Sequence, residues 1–206
     1  MGTREQTLKL KKFVTAAVLF GVMIAMWLMP FIGYITLPFT TISITLMPIP
    51  VIIGAIVLGP SYGAFLGGVF GVTSFLTCFG LPAPDPLGVV LLNTNPIYTA
   101  ILCIVPRLLM GLLVGLVFKL FTKFRITRNW FSYFTASLAG PVLNTVLFVT
   151  ALIALFFNTG ALSSLGESVP AIIAVLVTTN AAIEAIVCTA LAFIISKVVA
   201  KFAIKM

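Results

Sequence analysis

Residues 96–121 read PIYTAILCIVPRLLMGLLVGLVFKLF, and this run decides the fold. Arg107 and Lys119 are its only charges, and Lys119 lies near an end. A helix needs about 20 apolar residues to cross a hydrocarbon core roughly 30 Å thick, so the run is long enough to span a membrane. Pro96 sits at a first-turn position, where its missing N–H is one of those a helix start leaves unpaired anyway. Arg107 falls about eleven residues into the run, which places a cation near mid-membrane depth.

Five further runs flank it, from about Phe13 to Met29, Ile44 to Leu58, Tyr62 to Phe79, Trp130 to Phe157 and Pro170 to Val199. The first is preceded by Arg4, Lys9, Lys11 and Lys12, as in a signal peptide. Trp27-Leu28-Met29-Pro30 offers no small-x-small cleavage site, so the run is read as a membrane helix. Gly33–Thr45 is polar but uncharged, Gly59-Pro60 marks a tight turn, and Gly80–Asn95 is read as a long Pro-rich connection. A connection of that length is functional or disordered.

Composition agrees with the spans. Apolar residues make up 61% of the 206-residue chain and charged residues 8%, against about 45–50% and 25% in soluble domains. With a mean hydropathy of +1.26, a soluble globular fold is excluded. Six spans consume roughly 120 residues and leave no room for a separate soluble catalytic domain. The expected fold is an all-α integral membrane protein, a single domain over residues 1–206.

Charge fixes the expected orientation. The basic residues fall in the N-terminal segment, in the 4–5 connection (Lys119, Lys123, Arg125, Arg128) and near the C-terminus (Lys197, Lys201, Lys205). With six spans all three clusters share one side, which the positive-inside rule makes cytoplasmic, with both termini there. The opposite connections carry Asp85 and Glu167. This placement turns the net charge of +8 toward anionic lipid, and no nucleic-acid partner is expected.

Several chemistries lack their residues. Without histidine there is no Ser-His-Asp or Cys-His dyad and no zincin motif. Cys78, Cys103 and Cys188 lie far apart in apolar runs and read as buried free thiols, so no metal site is expected. No phosphate-binding glycine loop is present, so no cofactor is expected, and ATP-driven transport would need another chain to hydrolyse the nucleotide.

Two ionisable groups remain inside the spans, Arg107 in the fourth and Glu184 in the sixth. A charge at mid-depth costs at least about 2.5–3.5 kcal/mol, so such groups pair, face the bundle interior or mark a substrate path. Arg107 and Glu184 either lock helices four and six together or also contact a ligand. Asn144, Asn180, Asn93 and Asn95 add amide groups, and Asn180 shares a helix face with Glu184 four residues on. Each asparagine alone suits an interhelical hydrogen bond, whereas together with the charges they suggest an outward-opening polar pocket among helices four to six. Gly63, Gly67 and Gly71, and likewise Gly111 and Gly115, recur at four-residue spacing and suit close helix packing. Ala17, Gly21 and Ala25 form a similar strip on the first helix, for internal packing or for a partner subunit.

The order of Ile49-Pro50-Val51-Ile52-Ile53-Gly54, Leu58-Gly59-Pro60, Gly63-Ala64-Phe65-Leu66-Gly67, Phe70-Gly71, Ser74-Phe75, Val105-Pro106-Arg107 and Gly111 resembles the substrate-binding S components of energy-coupling factor (ECF) vitamin transporters, most of all the pantothenate type. The resemblance implies a six-helix protein of the bacterial plasma membrane that binds a vitamin from outside, among the later helices and under the 1–2 and 3–4 loops. It implies a transmembrane coupling subunit and two ATPase subunits as partners, with the Ala17, Gly21 and Ala25 strip meeting the coupling subunit. It further implies that the S component topples in the membrane to deliver its ligand. Pantothenate is a small anion with hydroxyls and an amide, so Arg107 suits its carboxylate and the asparagines the rest. Riboflavin or a pyrimidine vitamin precursor is the alternative ligand, with Tyr34, Tyr98 and the phenylalanines as stacking surfaces. A stand-alone secondary carrier is the alternative class, although the halves show no internal repeat. An enzyme would need convergent acid, base or metal-binding groups that the chain does not offer.

Overall fold

A computed structural model of the chain describes residues 2–29, 34–36, 43–83, 85–123, 129–159 and 180–203. Among them are seven α-helices: α1 (Gly2–Leu28), α2 (Pro48–Val57), α3 (Pro60–Cys78), α4 (Pro86–Thr94), α5 (Pro96–Lys123), α6 (Asn129–Phe156) and α7 (Asn180–Ala203). Two short strands, β1 (Tyr34–Thr36) and β2 (Ser43–Thr45), pair antiparallel between α1 and α2, with Tyr34 opposite Thr45. Four of the helices, α1, α3, α5 and α6, are long and apolar enough to cross a membrane. The expected third, fourth and fifth runs match α3, α5 and α6 within two residues at either end. α1 starts well before Phe13, so its lysines are helical, and Lys9 pairs with Glu5 at 2.9 Å. The expected start of the sixth run, residues 170–179, lies outside the described residues.

Two expectations need correction. The run from Ile44 to Leu58 is not one helix, since β2 ends at Thr45 and the ten-residue α2 begins at Pro48. Ten residues rise about 15 Å, half of a bilayer core. Every residue of α2 is buried, so this helix starts inside the protein. A buried helix start normally strands unpaired N–H groups. Here Pro48 and Pro50 have none, Ile49 N–H donates to the Leu46 carbonyl at 3.1 Å, and Met47 N–H donates to Thr45 Oγ1 at 3.3 Å. The stretch Thr45-Leu46-Met47-Pro48-Ile49-Pro50 thus removes or satisfies the donors at that end. Gly59, at φ +107°, then makes a turn that a side chain would strain, and Pro60 opens α3.

The second correction concerns the Pro-rich connection, which holds a helix over Pro86–Thr94. Asp85 caps it by accepting from Gly88 N–H at 3.3 Å, and Pro86 takes the first turn.

The centre of the bundle is the antiparallel contact of α3 with α5. A Cβ on Gly67 would strike the Arg107 carbonyl, one on Gly63 the Gly111 carbonyl, and one on Gly111 the Gly63 carbonyl. A Cβ on Gly71 would lie 2.6 Å from Ile104 Cα, and one on Gly115 2.6 Å from Pro60 Cα. The two glycine series therefore face each other, and the helices touch backbone to backbone. Met23, Val51, Ile52, Leu66, Phe70, Met110 and Val114 fill the core on either side.

Candidate functional site

Arg107 is buried at 9% exposure, in the register where Gly67 packs on its backbone. The residue before it explains its local bond. Pro106 cannot donate to the carbonyl four residues back, which leaves the Leu102 oxygen free. Arg107 Nη1 donates to that oxygen at 2.8 Å, so the guanidinium reaches back toward the amino end of α5. There it lies 4.4 Å from the ring centroid of Phe148 on α6 and 5.6 Å from that of Phe70 on α3. Cation–π contacts of this kind contribute about 0.5–2 kcal/mol, the upper end when desolvated. Nε of Arg107 is buried and, among the described residues, has no hydrogen-bond partner.

No ion pair joins Arg107 and Glu184. Glu184 is buried, and its Oε2 accepts from Thr45 N–H at 3.5 Å while Oε1 has no partner among the described residues. One turn further along α7, Cys188 Sγ donates to the Thr45 carbonyl at 3.6 Å.

Asn144 is buried on α6, one turn before Phe148 and on the same helix face, with Oδ1 unpartnered among the described residues. Arg107 thus meets Phe148, one helical turn from Asn144 on α6. Asn95 is placed differently, since its Oδ1 accepts from Ile97 N–H and Tyr98 N–H, both at 3.1 Å, and caps α5. Asn93 is exposed near the end of α4. Asn180 opens α7, and its side chain lies outside the described residues.

Sequence reasoning named Phe70 only within the Phe70-Gly71 motif, without a role in the site, and did not single out Phe148, Thr45 or the Leu102 carbonyl. The Pro106-Arg107 pair was the available signal for the last of these. Cys78, Cys103 and Cys188 are free and buried, and Cys78 and Cys103 meet across α3 and α5 with Sγ atoms 3.9 Å apart. Although Asp85 keeps surface exposure, desolvation pushes its carboxyl above the usual carboxylate range; the Gly88 and Leu87 amides and the Arg107 charge act the other way.

The strip on α1 faces away from the bundle. Ala16, Leu19 and Met23 are buried, whereas Ala17, Gly21 and Ala25 are exposed, and among the described residues a Cβ on Gly21 would meet nothing within 4 Å. Beside Ala17 an apolar cavity of about 450 Å³ opens between α1 and α3, lined by Phe13, Phe20, Tyr62 and Phe65 among others.

Comparison with known proteins gives this geometry a context. Residues 11–196 match the family described as "ECF transporter, substrate-specific component". The chain is 34% identical over 149 residues to the pantothenic acid transporter PanT of Lactococcus lactis subsp. cremoris (strain MG1363), covering 69% of this chain and 70% of that protein. It is 31% identical over 113 residues to the pantothenate transporter PanT of Leuconostoc mesenteroides subsp. mesenteroides, covering 54% and 52% respectively. With the family match running through α1 to α7, the chain belongs to the substrate-specific components of ECF transporters, a family of membrane transport proteins.

Proposed function

We propose that this chain captures pantothenate from outside a bacterial plasma membrane and hands it to a coupling subunit driven by two ATPases. In this reading the chain has six spans, with both termini cytoplasmic. The ligand assignment follows the names of the two relatives and one feature of the site, namely a buried guanidinium held by rings and a carbonyl rather than by a carboxylate. Arg107 keeps its charge available, and its unpaired Nε is a donor for an anion. The unpaired acceptors nearby, Asn144 Oδ1 and Glu184 Oε1, suit donors. Pantothenate carries one carboxylate, two hydroxyls and an amide N–H, which matches that inventory. Asn93, Asn95 and Asn180 stand at helix ends on the outer side in this orientation, at the entrance to the pocket.

The exposed α1 strip is the surface offered to the coupling subunit, because small residues allow close helix approach. Toppling of the whole bundle then delivers the ligand inside.

Titration of the purified chain in detergent with pantothenate, and with an analogue whose carboxylate is replaced by a carboxamide, tests the reading. Wild type should bind pantothenate at one site without ATP. Arg107→Ala should weaken pantothenate by about 10- to 150-fold, the worth of a hydrogen bond to a charged group, and leave the carboxamide nearly unaffected. Equal losses for both ligands would refute Arg107 as the carboxylate partner, and tight binding of riboflavin instead would change the vitamin.

A further inference from the structure

Among the described residues, Thr45 of β2 hydrogen-bonds to α7. Thr45 ends β2 opposite Tyr34. Its N–H donates to Glu184 Oε2 and its carbonyl accepts from Cys188 Sγ, so both backbone groups are engaged by α7. Glu184 and Cys188 are one helical turn apart and supply one acceptor and one donor, as a neighbouring strand would. Thr45 Oγ1 also accepts from Met47 N–H, which ties the same residue to the start of α2. The hairpin, α2 and α7 therefore meet at Thr45. Oε1 of Glu184 is buried and unpartnered among the described residues, while Oε2 holds the strand.

We propose that Glu184 is a positioning residue that latches β2 onto α7 and couples the hairpin to site occupancy, one carboxylate oxygen holding Thr45 and the other accepting from a hydroxyl or amide N–H of the ligand. The coupling half rests on the pocket reading above; the latch half does not. A ligand that bonds Oε1 fixes the carboxylate plane and so orients Oε2 toward Thr45. Cys188 supplies the second point of the latch.

Hydrogen–deuterium exchange on the full chain in detergent, read on peptides covering residues 43–47, tests the latch without ligand. Glu184→Ala should raise exchange there by about tenfold, with α3 peptides unchanged. Glu184→Gln, which keeps an acceptor, should stay close to wild type. Cys188→Ala should give a smaller rise than Glu184→Ala, and it serves as the second variant if Glu184→Ala fails to fold. Unchanged exchange at 43–47 in the folded Ala variants would overturn the latch. Pantothenate dissociation then tests the coupling: Glu184→Ala should speed release at least several-fold while association changes little, and unaltered release would overturn that half. If wild type binds no pantothenate, the ligand assignment and the coupling half fail together, and the latch is still judged by exchange alone.

Discussion

Adjacent glycines on α3 provide a matched pair of perturbations, because Gly67 and Gly68 differ in what a methyl group would meet. At Gly67 a Cβ would overlap the Arg107 carbonyl oxygen and lie 3.0 Å from the Arg107 carbonyl carbon and 3.2 Å from Leu108 Cα. All three are backbone atoms of α5, so no side chain can turn aside and the helices must part by on the order of 1 Å. At Gly68 the one neighbour within 4 Å among the described residues is Leu108 Cδ1 at 3.9 Å, an ordinary contact. Both substitutions gain about 1 kcal/mol of helix propensity. Gly68→Ala should therefore be neutral or slightly stabilising. Gly67→Ala should pay an overpacking cost of about 1–3 kcal/mol, and because the displaced backbone is that of Arg107, it should also weaken pantothenate. Thermal unfolding in detergent, followed by tryptophan fluorescence and repeated with saturating pantothenate, separates the two effects. If the two variants unfold alike and bind alike, the backbone contact does not position Arg107 and the reasoning fails.

Three more outcomes are expected. Ala17→Leu combined with Gly21→Leu should leave pantothenate binding by the isolated chain intact but lower uptake once the coupling and ATPase subunits are present; normal uptake in reconstituted vesicles would remove the strip as a docking face. Asn95→Ala should cost about 0.5–2 kcal/mol through loss of the α5 cap, and Asn95→Asp should retain most of that stability; a large affinity loss in Asn95→Asp at unchanged stability would make this residue a ligand contact as well. Pro50→Ala places an N–H in the buried start of α2 and should destabilise the protein by about 1–3 kcal/mol, visible as a lowered Tm in the same fluorescence assay.

The long apolar runs were legible because length and hydropathy alone set them, and α5 matches its expected run within two residues. The glycine spacings were also legible, since four-residue intervals put all members on one face whatever they pack against. The start of α2 was not. The run from Ile44 to Leu58 is continuously apolar apart from Thr45, and a strand and a buried helix cannot be told apart there by periodicity. Pro48 and Pro50 marked the boundary, though their role depends on where the Thr45 hydroxyl and the Leu46 carbonyl lie. α4 hid among prolines, although Asp85-Pro86 is a helix-start signature. In the site, the burial of Arg107 and Glu184 followed from the cost of charge in a membrane. Their separate partners did not, because a one-dimensional reading pairs opposite charges first. Pro106 frees a carbonyl beside Arg107, and the hairpin brings Thr45 to Glu184 from a distance of 139 residues in the chain. The capping role of Asn95 could have been read from the Asn95-Pro96 pair.

The facing glycines of α3 and α5 also limit how this protein can move. A shear that slides one helix along the other must lift each carbonyl out of the notch left by the opposite glycine and drive it over the next residue, at several levels along the interface at once. These two helices therefore travel as a single strut. A carrier that opens by rocking two halves apart needs a compliant plane between them, and backbone packed on backbone between α3 and α5 does not offer one.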